Sequence, residues 1–180
     1  MLTGIGTVLA DNPLLDVRLV STPRQPALVI VDSRLQTPLN AHLFEVERPI
    51  FIYAAVPNKA KKAALQARGA SVIDLPEIRA NGQCSGQVDL AAMLLDLGQR
   101  EVNELHVEAG HTLNGALIRA GLVDELLLYL APKLLGPGRD MASFGPLTAL
   151  TDALALEFKS TAMVGSDLRI VARVPGRDRF

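Results

Sequence analysis

A glycine in the middle of the chain, Gly110, lies between a segment with strand character and a segment with helix character. Leu105-His-Val-Glu108 precedes it, and apolar residues follow it at i, i+3, i+4 and i+7: Leu113, Ala116, Leu117 and Ala120. We expect Gly121 to end this helix in a left-handed conformation. Such a junction directs free backbone N–H groups and the positive end of the helix at one point, where a phosphate is favoured. Glu108 would stand beside that point and could bind hydroxyl groups or amines. Similar junctions connect strands to helices without any ligand, so the local pattern leaves both interpretations open.

A second candidate phosphate site follows the predicted strand Ala27–Asp32, whose apolar run is typical of a strand buried on both faces. Ser33 and Arg34 come directly after it, and ligands in open α/β sheets bind outside the carboxyl ends of strands. A hydroxyl and a guanidinium at that point could hold a phosphate. A serine-containing turn with a solvated arginine explains the pattern equally well.

The first residues of the chain carry a third group of polar side chains, at Thr7, Asp11 and Arg18. Two glycines here give half of a dinucleotide fingerprint, but Leu9 occupies the third glycine position and no complete strand precedes the motif. It therefore fails as a Rossmann signal, and we interpret the stretch as the end of a strand and the loop that leaves it. Two phosphate-binding candidates with this polar group suit an extended, doubly phosphorylated ligand such as a nicotinamide dinucleotide phosphate.

Several other chemistries lack the residues that they need. The histidines His42, His106 and His111 are not spaced as a metal site, and the single cysteine, Cys84, cannot form an internal disulfide. The zinc-deaminase, nucleophile-elbow and Walker motifs are absent. With a net charge of −1 and no basic cluster, neither nucleic acid nor a membrane surface is an expected partner. No run approaches the ~18 apolar residues of a membrane span and no signal peptide is recognisable, so we expect a cytoplasmic location.

Predicted strands and helices alternate along the chain. Strands are predicted at Ala27–Asp32, Pro49–Ala54, Ser71–Asp74 and Asp124–Pro132, and helices at Asn58–Arg68 and, after an Asp89 cap, Leu90–Leu97. Residues 75–86 are expected to form a loop, and Leu156–Ala162 with Asp167–Val174 an antiparallel pair. The predicted fold class is therefore α/β, with a mixed, mostly parallel sheet flanked by helices and a C-terminal antiparallel strand pair.

Four motifs, taken in order, resemble one known family. Gly4-Ile-Gly-Thr-Val-Leu-Ala-Asp-Asn-Pro-Leu-Leu-Asp-Val-Arg18 resembles its Gly-x-Gly-Thr-Val-x-Ala-Asp-x-Pro-x-Leu-x-x-Arg motif, and Val31-Asp-Ser-Arg34 resembles its Asp-Ser motif. The other two are His106-Val-Glu-Ala-Gly110 and Ala120-Gly-Leu-Val-Asp-Glu-Leu126, which is followed by Ala131-Pro-Lys-Leu-Leu-Gly136. The family is the pyrimidine reductase of riboflavin biosynthesis. It is the C-terminal half of a bifunctional deaminase–reductase and has a dihydrofolate-reductase-like fold.

The resemblance implies NADPH-dependent reduction of the ribosyl group of 5-amino-6-(5-phosphoribosylamino)uracil, by hydride transfer to C1, to the ribitylamino product. It implies that NADPH is bound by Thr7, Asp11, Ser33, Gly110, His111, Thr112, Leu113, Asn114, Gly115 and Ala116. It implies that substrate is bound by Leu15, Arg18 and Glu108, with Arg18 toward the ribose phosphate and Glu108 toward the aminouracil. Asp11 is the candidate catalytic residue, expected beside the nicotinamide, where it would assist protonation. Arg34 is a candidate for the adenosine 2′-phosphate, and no metal is implied.

The resemblance runs from Gly4 to about Val174. We therefore expect a reductase domain over residues 1–174, without the strand, Ser-x-Asp-Gly stretch and helix that begin the family's domain, and a tail over residues 175–180. The resemblance also implies a homodimer, with the apolar strand Leu126–Leu130 as a candidate interface, and a deaminase domain outside this chain. Two alternatives stay open: a non-catalytic or truncated module of the same fold that dimerises or binds a nucleotide, and a related dihydrofolate-type reductase.

Overall fold

The computed structural model describes residues 1–177, so the last three residues of the predicted tail, 178–180, lie outside the described residues. The strands are β1 (Leu2–Gly4), β2 (Leu28–Val31), β3 (Ile50–Ala54), β4 (Ala70–Asp74), β5 (Pro76–Ile78), β6 (Cys84–Val88), β7 (Glu125–Leu130), β8 (Glu157–Val164) and β9 (Asp167–Arg173). The helices are α1 (Ile5–Asp11), α2 (Lys59–Ala67), α3 (Leu90–Gln99) and α4 (His111–Arg119), with 3₁₀ turns at His42–Glu45 and Leu150–Asp152.

The first four strands form a parallel sheet in the order β1-β2-β3-β4. Because β2 and β3 are uninterrupted apolar runs, they can be buried on both faces, as predicted. Helices α1 and α2 complete the core on one face through Val8 and Leu65. Helices α3 and α4 complete it on the other face through Met93 and Leu117. The parallel sheet is therefore covered by helices on both faces.

The predicted central strand before Gly110 is reduced to a single bridge at the edge of this sheet. Val107 pairs in parallel with Leu2 of β1. The Leu2 N–H donates to the carbonyl of His106 at 2.7 Å, and the Glu108 N–H donates to the carbonyl of Leu2 at 2.9 Å. Helix α4 then begins directly after Gly110, so the predicted order of extended segment, glycine and helix is confirmed.

Helix α1 corrects the prediction that a loop follows the first strand. Ile5 and Val8 are three residues apart and both pack into the core, with Val8 only 1% exposed, so one turn of helix buries them together. The glycines at positions 4 and 6 conceal this pattern, because glycine is ordinarily a turn signal. Asn12 ends the helix in the left-handed region, with φ at 42°, and its N–H donates to the carbonyl of Val8 at 3.1 Å.

The prediction of a loop over residues 75–86 is wrong, because this stretch contains most of a β-hairpin. Strands β5 and β6 are antiparallel, with Pro76 opposite Val88. A proline at the start of one strand and Gly86, with φ at +77°, in the middle of the other interrupt the alternation by which a strand is recognised. The hairpin follows β4 and leads directly into α3.

The last three strands form a separate antiparallel sheet in the order β7-β9-β8. This confirms the predicted C-terminal pair and adds β7 to it. Residues opposite each other share a face of a sheet, and one face, which we call the apolar face, carries three rows: Leu126–Ala172–Phe158, Leu128–Ile170–Thr161 and Leu130–Leu168–Met163. The opposite face is mixed and carries Leu127 and Tyr129 together with the ion pair between Glu125 and Arg173, whose N···O distance is 2.8 Å.

An open groove of about 960 Å³ separates the two sheets, with residues 103–108 on one side and β7 on the other. Among the described residues β7 pairs only with β9. No helix within residues 1–177 is both long enough and apolar enough to cross a membrane. The α/β class, with a parallel sheet and a C-terminal antiparallel pair, is the predicted one.

Candidate functional site

A cavity of about 1270 Å³ opens where β1, β2 and the segment around Val107 end. Ten of the predicted site residues line it: Thr7, Asp11, Leu15, Ser33, Glu108, Gly110, His111, Thr112, Leu113 and Ala116. The carboxyl ends of parallel strands meet at one edge of a sheet, and ligands of open α/β sheets bind outside that edge. The parallel sheet therefore brings together residues from three motifs that are far apart in the sequence.

Helix α1 forms one wall of this cavity. Because Val8 turns into the core, Thr7 and Asp11 stand on the side of the helix that lines the cavity. Leu15 follows in a left-handed conformation, with φ at 53°. The guanidinium of Arg48 donates to the carbonyls of Leu14 and Leu15 and holds this segment, and burial lowers the pKa of Arg48. The position of Leu15 therefore depends on an arginine far along the chain.

A buried carboxylate forms the turn after β2. Asp32 is 0% exposed and accepts hydrogen bonds from the Gln36 N–H at 2.8 Å, the Thr37 N–H at 2.8 Å and the Thr37 hydroxyl at 2.7 Å. These bonds fix the turn that presents Ser33 and Arg34 to the cavity. Asp32 itself does not line the cavity, so it has a structural role in this motif, whereas Ser33 and Arg34 line the cavity.

The start of α4 has the features of an anion-binding helix terminus. Gly110 occupies the N-cap position and no side chain caps the helix, and the first turn holds no acidic residue. A Cβ built on Gly110 would meet nothing within 4 Å. The N–H groups of the first helical turn have no partner within an α-helix, and the residues of this turn line the cavity. This donor set and the positive helix end fit a phosphate group.

Glu108 is held by its backbone and presents its carboxylate at the cavity. Its carbonyl accepts from the Thr3 hydroxyl at 2.8 Å, and its N–H donates to Leu2. Thr3 is fully buried. The side chain of Glu108 is 51% exposed, with Oε1 lying 3.3 Å from Nε2 of His106. The backbone of Glu108 is therefore fixed, whereas its carboxylate is accessible and can accept hydrogen bonds from a ligand.

Three predicted site residues do not line the cavity. Arg18 pairs with Asp16 at 2.5 Å on the surface. Asn114 donates from Nδ2 to the carbonyl of Ala109 at 3.1 Å, and Gly115 is buried within α4. The predicted roles of these three in ligand binding stay predictions.

The cavity residues that were not predicted as site residues from the sequence include Glu77 and Gln87 on the hairpin, Arg119 at the end of α4, and Arg139. The Ser33 hydroxyl lies 3.4 Å from Oε1 of Gln87, so the hairpin reaches the second candidate phosphate site. Because residues 75–86 were predicted to form a loop, the sequence did not indicate on which face of a strand Glu77 and Gln87 would lie. Arg139 lies in an irregular segment without periodicity, so no sequence signal pointed to it.

Comparison with known proteins identifies consistent relatives. A family model described as the RibD C-terminal domain matches residues 1–170. The riboflavin biosynthesis protein RibD of Escherichia coli is 34% identical over 171 residues, which cover 93% of this chain and 47% of that protein. The 2,5-diamino-6-ribosylamino-4(3H)-pyrimidinone 5′-phosphate reductase of Methanothermobacter thermautotrophicus is 32% identical over 181 residues, covering 98% of this chain and 80% of that protein.

Solved structures give the same result. The structure of Acinetobacter baumannii RibD, form 1, matches with a TM-score of 0.78 and 27% identity, and the match covers 96% of this chain and 45% of that chain. This chain therefore spans about half the length of the RibD proteins that it matches. The predicted dihydrofolate-reductase-like fold is confirmed by these matches.

Proposed function

The chain belongs to the RibD C-terminal domain family, and we propose that it reduces 5-amino-6-(5-phosphoribosylamino)uracil with NADPH in riboflavin biosynthesis. The ribosyl group of the substrate is reduced at C1, which gives the ribitylamino product. The observation that carries the proposal is the single cavity in which Asp11, Ser33, Glu108 and the start of α4 meet. Because the chain spans about half of RibD, a deaminase domain outside it belongs to the same proposal.

The cavity fits a nicotinamide dinucleotide phosphate. The open N-terminus of α4 suits the pyrophosphate, and Ser33 and Arg34, on the turn after β2, suit the adenosine half with its 2′-phosphate. Thr7 and Asp11 on α1 line the same space and would bind the remaining part. NADPH supplies a hydride when bound, and the protein contributes binding and orientation.

The substrate side of the proposal rests on Leu15, Glu108 and Asp11. The carboxylate of Glu108, whose backbone is held by Thr3 and Leu2, would accept hydrogen bonds from the aminouracil. Leu15 would provide apolar contact at the cavity wall. Arg18, whose side chain is exposed, would bind the ribose phosphate after leaving its partner Asp16. Asp11, exposed in the cavity, would assist protonation.

The first experiment is calorimetric titration of NADPH into the chain, followed by a spectrophotometric assay of NADPH consumption with the uracil substrate. Micromolar binding and substrate-dependent consumption are expected. Glu108→Gln should lower kcat/KM by about tenfold or more, because a charge-assisted hydrogen bond is lost. The matched control is Glu104→Gln, an exposed glutamate that does not line the cavity. Binding without turnover would favour the non-catalytic alternative, and absence of NADPH binding by the folded chain would contradict the proposal.

A second candidate substrate comes from the relative in Methanothermobacter thermautotrophicus, whose name specifies a diaminopyrimidinone 5′-phosphate. The two compounds differ in the pyrimidine ring and share the ribosyl phosphate. Parallel assays with both therefore separate them: a higher kcat/KM with the diaminopyrimidinone would replace the uracil in the proposal and leave the reductase activity standing. Turnover of dihydrofolate alone would favour the dihydrofolate-type alternative.

A homodimer is the second part of the proposal, and the apolar face of the C-terminal sheet supports it. Leu130, Phe158 and Met163 belong to this face and are 63%, 72% and 64% exposed. Contiguous exposed apolar patches of this kind mark interaction sites. A second copy of the chain would cover the face, with β7 contributing as the sequence predicts.

A further inference from the structure

A short segment after β7, Met141–Ser143, crosses α4, and we call it the strap. Three hydrogen bonds hold its backbone to that helix. Asn114 donates from Nδ2 to the carbonyl of Met141 at 2.9 Å, and the Ser143 N–H donates to the carbonyl of His111 at 2.9 Å. Arg119 donates from Nη1 to the carbonyl of Ser143 at 2.5 Å. A segment without regular secondary structure is thus bound to the helix that borders the cavity.

Gly115 allows the strap to approach α4 this closely. A Cβ built on Gly115 would lie 1.9 Å from the carbonyl oxygen of Ser143 and 2.7 Å from its nitrogen. Both are backbone atoms, so a side chain at this position would displace the strap rather than rotate a neighbour aside. Glycine inside a helix is unfavourable by about 1 kcal/mol relative to alanine, and the close approach gives a physical reason for its presence here.

The strap positions an arginine at the cavity. Arg139 lies two residues before Met141 and lines the cavity, as Arg119 and the first turn of α4 do. Whereas Arg119 is engaged with the strap, Arg139 has no hydrogen bond or ion pair within residues 1–177. A guanidinium without a protein partner, in the same cavity as the uncapped start of a helix, is suited to an anionic ligand.

We propose that Arg139 binds the pyrophosphate of the nicotinamide dinucleotide, and that Asn114 and Gly115 are positioning residues that hold it there through the strap. This rests on the proposed function, because it assigns a further contact in the same cavity. The pyrophosphate is the group concerned because Arg139 closely precedes the strap, which is hydrogen-bonded to the start of α4 through His111 and Asn114. Arg34, by contrast, stands on the turn after β2, with the adenosine half.

The test is calorimetric titration of NADPH and of NADH into the 180-residue chain and its variants. Arg139→Ala should raise the Kd of both cofactors by the same factor, about fivefold to tenfold, because the pyrophosphate is common to both. Arg139→Lys should recover part of the loss, since it keeps the charge and loses the fork of donors. Arg34→Ala should weaken NADPH binding far more than NADH binding, because only NADPH carries the 2′-phosphate.

The positioning role is tested with Gly115→Ala. It should raise both Kd values as Arg139→Ala does. The double variant, Gly115→Ala with Arg139→Ala, should bind the cofactors no more weakly than the weaker-binding single variant, because Gly115→Ala has already displaced the arginine. The matched control is Gly98→Ala in α3, where an added Cβ meets nothing within 4 Å and cofactor binding should not change. Asn114→Ala supplies a second variant that removes a strap bond without adding bulk.

The outcomes separate this inference from the proposed function. Wild-type binding of NADPH with unchanged Kd values in Arg139→Ala would overturn the inference and leave the function standing. An effect of Arg139→Ala on NADPH alone would overturn the assignment to the pyrophosphate. Fully additive losses in the double variant would overturn the positioning role of Gly115. Absence of NADPH binding by the folded wild-type chain would remove both proposals together.

Discussion

Asp32 shows how a single buried side chain can decide where two ligand-facing residues stand. Its carboxylate is fully buried and has three hydrogen-bond donors around it, and the residues that follow it in the turn line the cavity. A buried charge is stable only when such donors satisfy it. Asp32 therefore affects the site by fixing the backbone of the turn, and it does not itself line the cavity.

Asp32→Ala should lower the free energy of unfolding by about 3 kcal/mol, because two N–H groups and a hydroxyl lose their acceptor in the interior. Asp32→Asn should lower it less, since one amide oxygen still accepts. Urea denaturation measures both changes. The control is Asp74→Ala, which loses only the ion pair with Lys62. If Asp32→Ala were as stable as this control, the structural role assigned to Asp32 would be contradicted.

A tyrosine in the core makes stability depend on pH. Tyr53 is fully buried and its hydroxyl donates to Asp96 at 2.5 Å. Burial, and then the bond to Asp96, raise the pKa of Tyr53 well above its ordinary value. Between the unfolded pKa of about 10 and the folded pKa, the native state keeps a proton that the unfolded state has released. Stability contributed by this group is therefore complete below pH 10 and is lost as the pH rises further.

The prediction is that the stability difference between the wild type and Tyr53→Phe is constant from about pH 7 to 9 and shrinks above about pH 10. Ultraviolet absorbance titration of the same two proteins isolates the ionisation of Tyr53, which should be missing near pH 10 in the folded chain and present in urea. Ionisation of Tyr53 near pH 10 in the native protein would contradict the assigned cause.

At the scale of elements, helix α3 has its own start signal in the sequence. Asp89 is the N-cap and accepts from the Ala92 N–H at 2.9 Å, as its position before an apolar-periodic run predicts. Asp89→Ala should lower the free energy of unfolding by about 1 kcal/mol, and Asp89→Asn, which retains an acceptor, should be nearly neutral. Thermal unfolding followed by circular dichroism compares the two. Equal losses in both variants would show that charge, and not the cap bond, is responsible.

Local signals of this kind explain which elements could be predicted from the sequence. Helices α2 and α3 combine side-chain caps with a clear apolar stripe, and β2 and β3 are apolar runs, so local sequence suffices for them. Helix α1 and the hairpin are stabilised by tertiary contacts, with glycine or proline at positions that locally indicate turns. The structure of these two elements depends on packing against the sheet, which the local sequence pattern does not predict.

The site divides in the same way. Ser33, Glu108 and Gly110 could be predicted because each follows an extended segment at the carboxyl edge of a parallel sheet. Arg139 could not, because its position depends on a strap held by Asn114 across a long separation in sequence. Arg18 belongs to a recognisable motif, yet the structure pairs it with Asp16 outside the cavity.

At the scale of the whole molecule, the two sheets differ in how completely they are covered. Helices lie on both faces of the parallel sheet, whereas the apolar face of the C-terminal sheet retains exposed side chains, Phe158 and Met163 among them. Exposure of apolar surface to water is unfavourable by about 25 cal/mol per Å². A second copy of the chain that covered this face would recover that free energy by association.

Phe158→Asp should therefore convert the proposed dimer into a monomer, because a charge would be placed within the covered face. The matched control is Ala162→Asp, which adds the same charge to the same strand on the opposite face, opposite Arg169. Size-exclusion chromatography with light scattering gives the mass of each protein, and dilution of the wild type gives the dissociation constant. We expect the wild type and Ala162→Asp to elute as dimers and Phe158→Asp as a folded monomer. A monomeric wild type at all concentrations would refute the dimer, and a dimeric Phe158→Asp would move the interface to another surface, of which the β7 edge beside the groove is the next to test.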